Sequence, residues 1–263
     1  MKLGFIGTGN LASAILRGVV SSGTAKAEDI LIYDIFSEKT DRLSDELGVN
    51  IASDAKSVAD SCEYVFCAVK PKDIAGVLDE ISGTQAMIIS TAAGTKLEVI
   101  LSHLGEKTAC ARIMPNINAA VGMAMTAYCV SSAVSQEQTD VLVKLCSAFG
   151  NCMPVDEKNF SAFTAIAGSA PAFVYDFIDA LAFAGVKNGI TYADALEISA
   201  RTVLGSAKMV LESGIHPSQL TDMVCSPGGT TVEGVATLKN AGFDAAIINA
   251  VENTVKKDKA MMK

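Results

Sequence analysis

The chain has 263 residues, of which 50% are apolar and 19% charged, and its mean hydropathy is +0.35. This composition excludes an intrinsically disordered protein and supplies enough apolar side chains for a sizeable core. The net charge of −8 and the pI of about 4.8 argue against a nucleic-acid partner and against docking on anionic lipid, because both need a basic surface.

Roughly the first 155 residues alternate short apolar runs with amphipathic segments, a pattern typical of repeated βα units on a parallel sheet. Each run is apolar on consecutive residues, which favours strands covered on both faces. The predicted strands are residues 3–6, 30–33, 64–68, 87–90, 109–113 and 124–130. The predicted helices between them are residues 11–22, 38–47, 72–81, 96–104 and 136–149. We therefore expect an α/β fold whose N-terminal part is a mostly parallel sheet.

After Pro154 the pattern becomes helical. The predicted helices are residues 170–188, 192–213, 218–224, 231–240 and 245–261. Residues 170–186 carry only two charges, Asp176 and Asp179, and a helix apolar around most of its circumference must be buried by several neighbours. We predict two domains, an α/β domain over residues 1–156 and an all-α domain over residues 157–263. The protein is then a homodimer, or a higher homo-oligomer built from dimers.

Two further features concern location and metals. The seven cysteines, at residues 62, 67, 110, 129, 146, 152 and 225, have no metal-ligand spacing, and their odd number on apolar stretches favours reduced core thiols. An uncharged run over residues 113–136 contains polar residues that are costly in lipid, such as Asn116 and Asn118, so we interpret it as buried strand and loop. We expect a cytoplasmic protein with no membrane partner and no metal site.

A dinucleotide fingerprint follows the first strand, where residues 7–12 are GTGNLA. In this G-x-G-x-x-A pattern Gly7 allows a tight turn, Gly9 lets the backbone approach a pyrophosphate, and Ala12 lets the helix pack closely on the sheet. The start of the helix supplies free N–H groups for the phosphates.

Asp34 lies 22 residues beyond Ala12, at the end of the second predicted strand, close to the spacing of about 20 expected for a carboxylate that binds ribose. Such a carboxylate accepts hydrogen bonds from a ribose 2′-hydroxyl and repels a 2′-phosphate, which favours NADH over NADPH. Lys39 offers a positive charge that partly compensates, so both cofactors stay open.

Ligands of such sheets lie at the carboxyl ends of the strands, which adds three later strand ends to the candidate cofactor site. Lys70 is the one cation in its segment and either contacts the cofactor or extends into solvent. The predicted cofactor-binding residues are Ile6, Gly7, Thr8, Gly9, Asn10, Leu11, Asp34, Ala68, Val69, Lys70, Pro71, Ala92, Ala93, Gly94 and Asn116.

A second glycine loop, residues 225–231 with the sequence CSPGGTT, leads into a predicted helix. A proline followed by two glycines forces a turn, and the next Ser or Thr suits a helix N-cap, so exposed N–H groups could bind a small anion such as a carboxylate. An ordinary capped helix start is the alternative. Neither His103 nor His216 stands where a catalytic acid would be expected, which favours a substrate that accepts hydride readily, such as a protonated imine.

On these residues the chain resembles the pyrroline-5-carboxylate reductases over nearly its whole length. The matching segments are residues 7–10, 68–71, 92–94, 112–116, 185–189 and 226–231. The resemblance implies a Rossmann-type, doubly wound, mostly parallel NAD(P)-binding domain over residues 1–156. It implies an all-α dimerisation and substrate-binding domain over residues 157–263, whose helices interlock with those of a partner chain. The implied reaction converts 1-pyrroline-5-carboxylate and NAD(P)H to L-proline. It also implies that backbone N–H groups of Ser226, Gly228, Gly229, Thr230 and Thr231 bind the substrate carboxylate, while the Thr231 hydroxyl bonds the ring nitrogen as the catalytic group.

Two alternatives stay open. Residues 117–118 and Ala170 depart from the usual pattern of the family, which allows an imine reductase acting on a different imino acid. A non-catalytic nicotinamide-binding protein is the other alternative.

Overall fold

A computed structural model describes residues 1–261. The chain folds into two compact units. The first unit is Met1–Gly168 together with the C-terminal residues from Val255 onward, and the second unit is Ser169–Thr254.

The first unit is built on one eight-stranded sheet. Its strands are β1 Leu3–Ile6, β2 Ile30–Tyr33, β3 Asn50–Ile51, β4 Tyr64–Cys67, β5 Met87–Ser90, β6 Cys110–Met114, β7 Ala124–Val130 and β8 Gly150–Pro154. They lie in the order β3-β2-β1-β4-β5-β6-β7-β8, and every pair is parallel except β6 with β7. The first six strands have the doubly wound Rossmann order, so the predicted fold class is confirmed.

Helices cover both faces of this sheet. They are α1 Asn10–Ser21, α2 Ser37–Leu47, α3 Ala55–Ser61, α4 Ile74–Glu80, α5 Leu97–Leu104 and α6 Gln136–Ser147. The strands contribute side chains to two separate apolar cores, one on each face, which explains why they are apolar on consecutive residues. In one of these cores the rings of Phe5 and Phe66 stack with centroids 4.8 Å apart.

Three elements of this unit were not predicted. Strand β3 has two exposed residues, and α3 has seven residues with Asp54 as its N-cap, so neither carries a long apolar pattern. Strand β8 starts at Gly150, where a Cβ would collide with the Ala124 backbone, and ends at Pro154. Glycine and proline are depleted in strand interiors, and the position of β8 at the sheet edge tolerates them.

The chain leaves the sheet through a helical segment that was also not predicted. It comprises a 3-10 turn, Glu157–Asn159, then α7 Phe160–Phe163, and then a π-helical stretch, Thr164–Ser169. Residues 157–168 group with the first unit, while the domain boundary proposed between residues 156 and 157 stays a prediction.

The second unit is helical. It contains α8 Ala170–Lys187, α9 Tyr192–Ser213, α10 Pro217–Val224 and α11 Thr230–Asn240, and α12 Phe243–Met261 begins in it. Helices α8 and α9 pack closely at Gly185, where a Cβ would lie 2.8 Å from the Cβ of Ala195. All five predicted C-terminal helices are therefore present, with ends shifted by at most two residues.

Large apolar side chains remain exposed on the second unit. On α8 and α9 these are Val174, Tyr175, Phe177, Leu181, Phe183, Val186, Tyr192, Leu196, Ile198, Leu204, Met209, Val210 and Leu211. The helical stretch Glu157–Lys187 is long and apolar enough to cross a membrane by length and composition alone, a weak test that core helices also pass. An apolar surface of this extent on one chain indicates an interaction surface.

Candidate functional site

Strand register brings four of the predicted segments to one edge of the sheet. Ile6 lies opposite both Tyr33 and Cys67, and Cys67 lies opposite Ser90. The residues that follow these four strand ends are therefore neighbours: the fingerprint, Asp34, residues 68–71 and residues 91–94. Strand β6 continues this edge, since Ser90 pairs with Arg112.

Gly7 is required by the close approach of two of these segments. Its φ is +91°, and a Cβ on it would lie 2.7 Å from the carbonyl oxygen of Ala68. Its N–H donates to the Tyr33 carbonyl at 2.8 Å, and the Ala68 N–H donates to the Ile6 carbonyl at 2.8 Å. Glycine is therefore needed at this turn because the fingerprint and the 68–71 segment contact each other there.

Gly9 differs from Gly7 because nothing fills the space beside it. It is the N-cap of α1 with φ −66°, and no atom of the described residues lies within 4 Å of a Cβ built on it. The N–H groups of Gly9, Asn10, Leu11 and Ala12 have no acceptor within residues 1–261. Unpaired N–H groups beside open space at a helix start suit a diphosphate, so this turn fits a dinucleotide.

The Asp34 carboxylate is bonded to the fingerprint itself. Its Oδ2 accepts from the Thr8 N–H at 2.8 Å and from the Thr8 hydroxyl at 3.1 Å, while Oδ1 accepts from the Phe36 N–H at 3.0 Å. Lys39 Nζ lies 3.6 Å from Oδ1. Burial alone would raise the Asp34 pKa, but these hydrogen bonds and the lysine charge outweigh it and hold the pKa below its ordinary value. The Thr8 N–H is therefore not available to a phosphate.

The next two strand ends, residues 68–71 and 92–94, are partly exposed. Lys70, Pro71 and Ala93 are exposed, and the Lys70 side chain forms no ion pair with any residue from 1 to 261. Gly94 has φ +73°, so the 92–94 segment turns sharply before α5 begins. The 68–71 segment lies beside the fingerprint, and the 92–94 segment follows the next strand along the same edge of the sheet.

Both ends of the Asn116 side-chain amide are occupied by internal hydrogen bonds. Asn116 is 7% exposed, its Nδ2 donates to the Ala167 carbonyl at 2.8 Å, and its Oδ1 accepts from the Met125 N–H at 3.3 Å. The orientation of the amide is fixed, because a carbonyl can only accept and an N–H can only donate.

Near Asn116 lies a buried ion pair that the sequence analysis did not find. The Arg112 side chain is 4% exposed and donates to Glu157 Oε1 at 2.9 Å. The same oxygen accepts from the Leu97 N–H at 2.8 Å, and the guanidinium lies 4.4 Å from the centroid of the Phe160 ring. These partners are 45 and 60 residues apart in the chain, and no local pattern predicts them.

In the second unit the predicted glycine loop is a closed turn. The Gly229 N–H donates to the Ser226 carbonyl at 3.0 Å, and Gly228 has φ +67°. Pro227 precedes Gly228 in the turn, as such geometry favours. A Cβ on Gly229 would displace the Ser226 hydroxyl and would lie 3.2 Å from the Ser226 carbonyl oxygen, so the turn is tightly packed here.

The helix start after this loop differs from the prediction in its cap. Gly229, rather than a Ser or Thr, is the N-cap of α11, and no side chain caps the helix. The N–H groups of Thr230, Thr231 and Val232 have no acceptor in the described part of the chain. The Gly229 N–H, which was predicted to bind a carboxylate, is used inside the turn instead.

The two histidines have structural partners. His103 Nδ1 lies 2.6 Å from Asp79 Oδ1, and His216 Nδ1 accepts from the Ser218 N–H at 3.2 Å at the start of α10. Among residues 1–261 no cluster of three or more His, Cys, Asp or Glu side chains could hold a metal ion.

Family models match both parts of the chain. Residues 157–261 match the model described as pyrroline-5-carboxylate reductase dimerisation, and residues 2–94 match the model described as NADP oxidoreductase, coenzyme F420-dependent. The first match indicates that the helical region is an oligomerisation region.

Relatives and solved structures match over the full length. The pyrroline-5-carboxylate reductase of Escherichia coli strain K12 is 39% identical, over 100% of this chain and 98% of its own. A structure of a pyrroline-5-carboxylate reductase from Coxiella burnetii is 30% identical with a TM-score of 0.94, covering 100% of this chain and 98% of its own. A Plasmodium falciparum pyrroline carboxylate reductase with NADP bound is also 30% identical, with a TM-score of 0.89 and the same coverage.

Proposed function

The chain belongs to the pyrroline-5-carboxylate reductase family, and we propose that it reduces the C=N bond of 1-pyrroline-5-carboxylate with NAD(P)H to give L-proline. The observation that carries this assignment is a pair of helix starts, one in each unit, that present unpaired backbone N–H groups. The start of α1 suits a diphosphate, and the start of α11 suits a carboxylate.

The dinucleotide is assigned to the fingerprint and the neighbouring strand ends. Bound NAD(P)H supplies the hydride for the reaction. The N–H groups of Gly9, Asn10 and Leu11 bind the diphosphate, and the open space beside Gly9 admits it. Ile6 and Gly7 shape the turn, while residues 68–71 and 92–94 line the nicotinamide side.

We assign a preference for NADH to Asp34. Its carboxylate stays ionised at neutral pH because its pKa is lowered, so it repels a 2′-phosphate. Lys39 Nζ, 3.6 Å from the Asp34 carboxylate, weakens this repulsion because its positive charge offsets part of the negative charge. Steady-state kinetics with both cofactors test this preference, and a higher kcat/KM with NADPH would refute it.

The substrate is assigned to the loop before α11. The free N–H groups of Thr230, Thr231 and Val232 would bind its carboxylate, with the Ser226–Gly229 turn holding them in place. The hydroxyl of Thr231 donates to or accepts from the ring nitrogen. A protonated imine is already electrophilic at carbon, so orientation supplies much of the acceleration and no strong base is needed.

We also assign a homodimer as the minimal assembly, with a cytoplasmic location. The exposed apolar side chains of α8 and α9 support self-association, as does the dimerisation match over residues 157–261. All seven cysteines are free thiols, which agrees with a reducing compartment.

The decisive assay mixes the purified protein with 1-pyrroline-5-carboxylate and NADH or NADPH in parallel. Oxidation of the nicotinamide coupled to proline formation is expected, and nucleotide binding without turnover would refute the enzymatic assignment. A six-membered cyclic imino acid, run alongside, should be reduced more slowly. Faster reduction of that compound would favour the imine reductase alternative.

Thr231 is tested with a matched pair of variants. Thr231→Ala should lower kcat about tenfold or more, as expected for losing a hydrogen bond to a charged group, with nucleotide affinity unchanged. Thr237→Ala is the control on the same helix, since its hydroxyl bonds only the Glu233 carbonyl. Wild-type kinetics in Thr231→Ala would remove its assigned contact with the ring nitrogen.

A further inference from the structure

Asn116 follows β6 at the sheet edge where the dinucleotide is assigned, yet both ends of its side-chain amide are occupied. Nδ2 donates to the Ala167 carbonyl at 2.8 Å, and Oδ1 accepts from the Met125 N–H at 3.3 Å. With 7% of the residue exposed, little of the amide is accessible to a ligand.

The acceptor of this bond lies in an unusual part of the backbone. Ala167 belongs to the π-helical stretch Thr164–Ser169, and the division between the two units falls directly after Gly168. Such stretches are rare and are frequent at functional sites, and in this one the Ala167 carbonyl accepts from the Asn116 amide.

Arg112 holds the start of the same segment, four residues before Asn116. Its guanidinium binds Glu157 and lies against the Phe160 ring, and Glu157 also accepts from the Leu97 N–H just after the 92–94 segment. Residues 157–167 are therefore fastened to β6 at both ends.

We propose that Asn116 and Arg112 are positioning residues that hold residues 157–169 against the carboxyl end of β6, and that Asn116 acts through Ala167 instead of contacting the dinucleotide. Only the effect expected on kcat rests on the proposed function. The role of Asn116 thereby differs from the one predicted from the sequence, where it was assigned to the cofactor.

The test compares Asn116→Ala with Thr126→Val in the full-length protein. Thr126, adjacent to Met125, has a buried hydroxyl without a partner among the described residues, so Thr126→Val removes a buried oxygen without breaking a hydrogen bond. Hydrogen exchange of peptides covering residues 164–169 should become about tenfold faster in Asn116→Ala, the factor that corresponds to one lost buried hydrogen bond. It should not change in Thr126→Val.

Two further measurements separate positioning from direct contact. The Kd of NADH, from its fluorescence on binding, should stay within about twofold of the wild type, whereas kcat should fall about tenfold. A tenfold higher Kd with unchanged exchange at 164–169 would overturn the proposal. The exchange and binding measurements remain valid if 1-pyrroline-5-carboxylate is not the substrate, so the two failures are distinguishable.

If Asn116→Ala does not fold, Asn116→Leu replaces it. Leucine fills a similar volume but cannot donate to the Ala167 carbonyl, so exchange at 164–169 should rise. At the other end of the segment, Glu157→Gln keeps both hydrogen bonds and removes the charge, and exchange over 157–163 should rise. Unchanged exchange in both variants would refute the positioning role.

Discussion

Gly9→Ala should weaken nucleotide binding without changing the stability of the fold, because the new methyl group meets the nucleotide and not the protein. The φ of −66° is ordinary for alanine, and nothing lies within 4 Å of the new Cβ. Replacing glycine stabilises the chain by about 0.4–1 kcal/mol through the unfolded state, and alanine at an N-cap costs about 0.5–1 kcal/mol. These terms nearly cancel, so the free energy of unfolding should change by less than about 1 kcal/mol.

The same methyl group projects into the space assigned to the diphosphate, so NADH binding should be lost or weakened at least about a hundredfold, the result of displacing several charge-assisted hydrogen bonds. Urea unfolding and NADH fluorescence titration measure the two effects. Gly7→Ala is the contrasting variant, because its φ of +91° and the Ala68 carbonyl at 2.7 Å make it destabilising by about 2 kcal/mol or more. Wild-type NADH affinity in Gly9→Ala would refute the placement of the diphosphate.

Three other predictions concern charge and thiol chemistry. Glu157→Ala should lower the free energy of unfolding by about 2–4 kcal/mol in urea titrations, because the Arg112 side chain, which is 4% exposed, loses its ion-pair partner. The 27% exposure of the Glu157 side chain keeps the loss below that of a fully buried pair. Asp34 has a lowered pKa in the folded protein, so its stabilising contribution is present at neutral pH and is lost as the pH falls through that pKa. Asp34→Asn should flatten the acid part of the plot of unfolding free energy against pH. An unchanged plot would contradict the stabilising role of the Asp34 carboxylate. The neighbouring Cys146 thiol lowers the pKa of Cys152 to about 7, whereas burial raises it, so alkylation of Cys152 should rise between about pH 6 and 8, and this rise should shift to higher pH in Cys146→Ala.

The sequence predicted well those features that depend on neighbouring residues. Strands β1, β2, β5 and β7 have the predicted bounds, and α9 begins and ends as expected. Consecutive apolar residues indicate a strand covered on both faces, and a Gly-x-Gly turn between a strand and a helix depends only on adjacent residues. The family resemblance was also recognisable from short motifs.

What the sequence did not predict depends on contacts between distant residues. The bonds from Thr8 to Asp34 span 26 residues, the bond from Asn116 to Ala167 spans 51, and each needs the folded sheet to bring the partners together. The π-helical stretch at Thr164–Ser169 has the composition of an ordinary helix. The use of the Gly229 N–H inside its own turn likewise follows from the backbone path and not from residue type.

Because α8 and α9 leave apolar side chains exposed, the stability of the second unit should depend on the protein concentration. A surface that is buried only when copies meet adds its transfer free energy to folding only at concentrations where copies meet. The melting temperature should therefore climb as the protein is concentrated, and dilution should loosen the helices before it affects the sheet.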